Sequence, residues 1–238
     1  MIVRIVKKIL GIPTNSGEYN NKGIKESERK RYKSSLSCFD KALELNPRQA
    51  YVWFNKGIVL SDIGRYKEAI ECYDKSLEIR PKSLMTLNNK GNIFNLIMRY
   101  EDAIECYDKA LEIDNKDSFV LTNKAIALGN LKRYKEAIEC FDKILEIDPK
   151  NLNVLNNKGS FLNNHFKMRK EAIECFDKIL EIDPKNGLAL SNKNNVLNKW
   201  GDDLSELAKT KVGTEAEELL KQSTEKYAEA VDMNIQKQ

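Results

Sequence analysis

The sequence predicts an all-α fold, a solenoid of stacked antiparallel helix hairpins. Three observations carry that expectation. The five cysteines, Cys38, Cys72, Cys106, Cys140 and Cys175, stand 34, 34, 34 and 35 residues apart. Nearly the same text surrounds each of them: SLSCFDKALELNP, AIECYDKSLEIRP, AIECYDKALEIDN, and AIECFDKILEIDP twice. A second block recurs upstream as NNKG, FNKG, NNKG, TNKA, NNKG and SNKN. Self-similarity at one fixed period marks a repeat architecture. One hairpin cannot bury its apolar face alone, so such units must stack.

Residues 1–15 precede the repeats. Met1 to Leu10 puts Ile2, Ile5, Val6 and Ile9 on one helical side and Arg4, Lys7 and Lys8 elsewhere. Gly11 and Pro13 end that stretch. Such a basic amphipathic segment is expected to dock on protein, its own first unit or a neighbouring molecule, which allows self-association through residues 1–12. Membrane anchoring is the weaker reading, since three cations at about 1 kcal/mol each and one short apolar face hold poorly.

Five repeats follow, at 16–49, 50–83, 84–117, 118–151 and 152–186. In the first half of a repeat, Trp53, Gly57 and Leu60 make a helical stripe that Gly64 closes. In the second, Ala69, Ile70, Tyr73, Leu77 and Ile79 share one side, with Glu68, Glu71, Asp74 and Lys75 opposite. Pro47, Pro81, Pro149 and Pro184 stop the second helices. Loops this short force neighbouring helices antiparallel. Small residues, Gly57, Gly91 and Gly159 in the first helix and Ala69, Ala103, Ala137 and Ala172 in the second, allow close packing, while Phe39, Tyr73, Tyr107, Phe141 and Phe176 fill the volume between adjacent units. The first unit is more polar, with Glu26 where Leu60 and Phe94 stand later. The fifth carries one extra residue, expected in its turn near Phe166 to Arg169.

Residues 187–238 read as an elongated sixth repeat and a C-terminal capping helix. Leu188, Leu190, Val196, Leu197 and Trp200 open it, and a final helix starts at Thr214, where Thr214 with Glu217 fits a capping box.

The set Trp53, Gly57, Leu60, Gly64, Tyr66, Ala69, Tyr73, Ser76 and Pro81 resembles the signature of the tetratricopeptide repeat family, and the match recurs through residues 16–185. Departures are local: Asn115 replaces the terminal Pro, Met98 and Lys132 the turn Gly, and Ile144 and Ile179 a small residue. The resemblance implies a right-handed α-solenoid whose first helices line a concave groove for protein ligands.

Composition excludes several classes. Net charge is +4, and residues 1–33 hold nine cations against three anions, so the rest of the chain is slightly acidic. A body so balanced lacks the basic field of a nucleic-acid binder. No run of eighteen apolar residues exists, so no membrane span is expected and the cytoplasm is the default location. No cysteine has another within four residues, and the only histidine is His165, read as a surface turn residue. Metal sites are therefore not expected, and a disulfide needs Cα atoms closer than about 7 Å, nearer than stacked helices come. No nucleotide-binding, hydrolase or paired-carboxylate motif appears. The chain reads as non-catalytic and free of cofactors.

Asparagine is the informative residue. One recurs in every unit, at Asn21, Asn55, Asn89, Asn123, Asn157 and Asn192, and Asn88, Asn92 and Asn156 flank it. Asn is a poor helix former, so its density inside helices calls for a reason. Its amide offers donor and acceptor, which suits the main chain of an extended peptide. The ladder looks like that in the repeat domain of O-linked N-acetylglucosamine transferase. Phe54, Ile58, Phe119 and Ile126 are expected to supply apolar pockets between its rungs. The lysine after each ladder Asn should turn partly away, its stem packed and its ammonium group in solvent. Clamp-like positions for a chaperone C-terminus read Asn20, Ile24, Asn55, Met85 and Asn89, without the needed cations. The expected function is a scaffold that binds a peptide segment of a partner. The alternatives are an assembly component that self-associates through its ends, or a regulatory subunit of a separate enzyme.

Overall fold

The computed structural model describes residues 13–235, so the segment 1–12 lies outside the described residues. Within them the chain is all α, with no strand. The chain divides into two compact units, residues up to 132 and residues from 133. The first unit holds α1 (Ser16–Glu28), α2 (Tyr32–Leu45), α3 (Ala50–Asp62), α4 (Tyr66–Ile79), α5 (Leu84–Leu96), α6 (Tyr100–Leu111) and α7 (Ser118–Asn130). The second holds α8 (Tyr134–Ile147), α9 (Leu152–Phe161), α10 (Arg169–Ile182), α11 (Gly187–Ala208) and α12 (Thr214–Ile235). Each unit is a solenoid of stacked antiparallel hairpins. In the first, the odd-numbered helices α1, α3, α5 and α7 lie side by side, each touching the next.

Local chemistry explains where the helices start and stop. Asn15, Ser83, Asp117, Asn151 and Asn186 each cap a first helix, the side-chain oxygen accepting a backbone N–H three residues on. The first helices end in left-handed turns at Lys30, Gly64, Met98, Lys132 and Lys167. Around Gly64 the backbone closes the helix twice, Gly64 N donating to the Ser61 carbonyl and Arg65 N to that of Leu60. The same pair of bonds repeats around Lys30 and Met98. Only one of these five turns uses glycine, and an L-residue there costs roughly 1–2 kcal/mol.

Five of the hairpins are drawn together by an aromatic ring on a glycine, while the fourth repeat carries Ala125 at that place. A Cβ built on Gly23 would come within 2.6 Å of the Phe39 ring, on Gly57 within 2.5 Å of Tyr73, and on Gly91 within 2.6 Å of Tyr107. In the second unit Gly159 meets Phe176 at 2.9 Å and Gly201 meets Tyr227 at 2.8 Å. The ring thus lies first against its own hairpin, closer to home than the expected space between units. At either end the small residue of the second helix is serine: Ser35 Oγ donates to the Gly23 carbonyl at 2.7 Å, and Ser223 Oγ to that of Gly201 at 2.8 Å. Glu26, buried in the first hairpin, faces Arg29 and Arg31 at 3.6 and 3.7 Å.

Two expectations need correction. The extra residue of the fifth repeat is absorbed by the end of the first helix, where Leu162–Phe166 winds as a π turn. The turn keeps its left-handed residue at Lys167, and Met168 N reaches back to the Leu162 carbonyl at 3.3 Å. A π turn takes in one residue without breaking the helix. The last helix does open at Thr214, but Thr214 is already helical, and the N–H groups of Ala216 and Glu217 bond to the Gly213 carbonyl.

The glycine contact predicts a sign. Gly57→Ala places a methyl group inside the Tyr73 ring, and such overpacking costs about 1–3 kcal/mol, against the roughly 1 kcal/mol that alanine gains in a helix. Net destabilisation in urea melts is expected for Gly57→Ala. Gly187→Ala, facing open space, should be neutral or stabilising. Equal stability of the two variants would contradict the contact.

Candidate functional site

The ladder asparagines all sit on first helices, Asn55 on α3, Asn89 on α5, Asn123 on α7, Asn157 on α9 and Asn192 on α11. Inside each unit they first serve the stack. Asn55 Nδ2 donates to Asn20 Oδ1 at 3.0 Å, Asn123 to Asn88 at 3.0 Å, and Asn192 to Asn156 at 2.7 Å. In all three the partner is the residue that precedes the previous rung. Asn130 and Asn95 add a longer pair of the same kind at 3.4 Å. Asn20 is only 5% exposed, so without Asn55 its carbonyl oxygen would be buried and unsatisfied. Asn89 is different. Phe54 stands where its partner would be, and Asn89 makes no hydrogen bond among the described residues.

The neighbouring lysines are more ordered than expected. Lys56, Lys90, Lys124, Lys158 and Lys193 each reach the aspartate sixteen residues earlier, on the preceding second helix, at 2.5–2.7 Å. Exposed pairs of this kind contribute about 0–1 kcal/mol each. Their value here is register, since the same pair clips successive repeats.

Between α3 and α5 lies a hollow of about 190 Å³. It is lined by Ile58, Asn89 and Asn92, which were legible as candidates, and by Ser61, Asp62, Tyr73, Ile93 and Leu96, which were not. A signal for two of these exists in the sequence: Asp62 and Leu96 each lie seven residues, two helical turns, beyond a ladder Asn. Tyr73 is 2% exposed, yet its hydroxyl has no hydrogen-bond partner. No partnerless side-chain oxygen or nitrogen in the described residues is sealed from solvent, so this hydroxyl is reachable. The matching hydroxyl one repeat on, that of Tyr107, donates to Asn92 Oδ1 at 2.8 Å. The residue corresponding to Asn92 under Tyr73 is Ile58, which cannot accept. Burial first, then the Asp62 charge, push the Tyr73 phenol up, so it stays protonated.

The apolar candidates divide. Phe119 is 77% exposed and Ile126 is also exposed, both on α7. Phe54 and Ile58 are half-buried, Phe54 with its ring 6.0 Å from that of Tyr73.

In the second unit the π turn gathers a separate cluster. His165 is exposed there, stacked on Tyr134 at 4.7 Å and tilted on Phe161 at 4.6 Å. Beneath it the buried Arg169 guanidinium donates to the Asn163 carbonyl at 2.8 Å and to Asp203 Oδ2 at 2.7 Å. Burial alone would raise the Asp203 carboxyl, but the bond and charge of Arg169, with Lys167, outweigh it and hold it below its usual range.

All five cysteines are free and buried. Burial pushes the Cys72 and Cys106 thiols up to about 11. Among the described residues no three or more His, Cys, Asp or Glu side chains gather to hold a metal, and no helix is long and apolar enough to cross a membrane.

Two measurements follow from this geometry. Asn55→Ala leaves Asn20 unsatisfied, a loss of about 1–3 kcal/mol only partly offset by helix propensity, so its urea midpoint should fall. Asn89→Ala should hold or rise; equal losses would show that the pairing has no energetic weight. At pH 8 a thiol with a pKa of 11 is ionised about once in a thousand, against roughly a quarter for an ordinary cysteine. Iodoacetamide should therefore modify native Cys72 and Cys106 far more slowly than the urea-unfolded chain, and similar rates would refute their burial.

Comparison with known proteins agrees with this architecture. Models of the tetratricopeptide repeat match residues 48–116, 118–151 and 152–186. A search of curated proteins returned no match. Among solved structures, a tetratricopeptide repeat protein from Parabacteroides merdae is 17% identical over 92% of this chain and 93% of its own, with a TM-score of 0.69. MamA from Desulfovibrio magneticus RS-1 is 22% identical over 72% and 97%, at 0.65. YrrB, described as a TPR protein with an unusual peptide-binding site, is 24% identical over 80% and 96%, at 0.63. At these identities the likeness carries the fold alone. With the recurring signature, the hairpin stack and three matching repeat models, the chain belongs to the tetratricopeptide repeat family, whose fold is in general a non-catalytic scaffold for protein interaction.

Proposed function

We propose that this chain holds an extended peptide segment of a partner protein along the asparagine-bearing first helices of its first unit. The observation that carries the reading is Asn89, a half-buried amide beside an open hollow with no partner of its own. The paired asparagines support it too. Each amide holds two N–H groups and an accepting oxygen, so Asn55 and Asn123 retain an N–H and the oxygen after their inter-repeat bonds. Exposed Phe119 and Ile126 on the same run of helices offer apolar contact for side chains. The absence of a clustered nucleophile or paired carboxylates in the sequence favours binding over chemistry.

The test is a peptide selected on the full chain from a random dodecapeptide library displayed on phage. Asn89→Ala should weaken that peptide by about 0.5–1.5 kcal/mol, the net worth of one neutral hydrogen bond, with the melting temperature held. Asn55, Asn89, Asn123 and Asn157 replaced together should weaken it further, judged on protein still folded by circular dichroism. Full affinity in the folded quadruple variant would end the proposal.

A further inference from the structure

The hollow between α3 and α5 carries more chemistry than a ladder rung needs. At about 190 Å³ it is smaller than the roughly 300–1,000 Å³ of small-molecule sites, and suited to a single side chain. Its lining combines apolar groups, Ile58, Ile93 and Leu96, with polar ones, Asn89, Asn92, Asp62 and the Tyr73 hydroxyl. Each of these polar groups can accept an N–H. Asn89 Oδ1 is unengaged, Asn92 Oδ1 has room for a second donor beside Tyr107, and the Tyr73 oxygen has no partner.

Asp62 sets the sign of the ligand. It forms no ion pair among the described residues, whereas nearby cations are committed elsewhere: Lys56 to Asp40, Lys90 to Asp74 and Arg65 to Glu68. No basic side chain lines the hollow. A carboxylate at the rim, unsatisfied acceptors inside and an aliphatic wall match one class of side chain, a long alkyl stem ending in a cation. We propose that the hollow is a subsite for one lysine or arginine side chain of the bound peptide, its stem along Ile58 and Leu96 and its cation between Asp62, Asn89 and the Tyr73 hydroxyl. This rests on the peptide-binding reading and gives it a specificity. An acidic side chain would be repelled by Asp62, and a purely apolar one would leave Asp62 and Tyr73 without partners.

The probes are Nα-acetyl-arginine methylamide, the lysine analogue and the isosteric norleucine analogue, titrated into full-length protein and followed by two-dimensional NMR. The cationic probes should shift the side-chain amide signals of Asn89 and Asn92 and the methyl signals of Ile58, about tenfold more tightly than norleucine, the factor for a charge-assisted hydrogen bond. Asp62→Asn should erase that preference while leaving the remainder of the spectrum in place, and Tyr73→Phe should reduce cation affinity severalfold. Equal binding of norleucine, shifts that map elsewhere, no shift with any probe, or an unchanged preference in Asp62→Asn would each overturn the subsite. The phage-selected peptide separates the two levels. Sensitivity to Asn89→Ala with indifference to Asp62→Asn overturns the subsite and leaves the groove standing, while indifference of the folded quadruple asparagine variant removes the groove itself.

Discussion

In the hairpins that carry glycine, a methyl group has no room between the first helix and the aromatic ring of the second, and most of the fold depends on that closeness. The rings of Phe39, Tyr73 and Tyr107 lie against Gly23, Gly57 and Gly91, sixteen residues earlier in each case. Backbone-to-ring contact brings the helices near enough for Ala42, Ala69, Ala103 and Ala110 to be sealed. The glycine forgoes about 1 kcal/mol of helix propensity, and burial of a large ring, worth roughly 1.5–3 kcal/mol for a Phe-sized side chain, exceeds it. Repetition then makes the arrangement modular, each unit leaning on its neighbours.

Polar contacts set how one hairpin meets the next. Lys56, Lys90, Lys124, Lys158 and Lys193 each pair with an aspartate of the preceding second helix, and three rungs, Asn55, Asn123 and Asn192, bond to an asparagine of the preceding first helix. Neither contact is strong, but both have direction, which apolar packing lacks. Within each unit they hold the first helices in register. Where the pattern lapses, chemistry is left over. Phe54 deprives Asn89 of its partner and Ile58 deprives the Tyr73 hydroxyl, and both lapses open on one hollow beside Asp62.

The second unit shows how the same plan absorbs an irregularity. An additional residue becomes a π turn at Leu162–Phe166, and the displaced aromatics Phe161, His165 and Phe166 gather around Tyr134. The buried Arg169 guanidinium beside the turn bonds to Asn163 and to Asp203 of α11. A buried charge with partners on both sides ties the fifth hairpin to the elongated last one.

The helices, their order, the stop at each proline and the hairpin pairing were determined by the sequence alone, because a strict period repeats one amphipathic pattern and each copy corroborates the others. The face carrying Asn55, Asn89 and Asn123 was equally legible, since helical position follows from spacing. What only the tertiary structure decided is which of those amides are already engaged. Asn20 and Asn55 are thirty-five residues apart in the chain, and nothing local says that their side chains meet. The π turn was hidden for a related reason: an insertion has a fixed place in the text, but its conformation depends on which backbone hydrogen bonds survive. Asp62 and Tyr73 look like ordinary members of their repeat, one a charged surface residue and the other a core ring. Their conjunction arises from packing α3, α4 and α5 together, and a hollow is a property of the space between elements that no single helix carries.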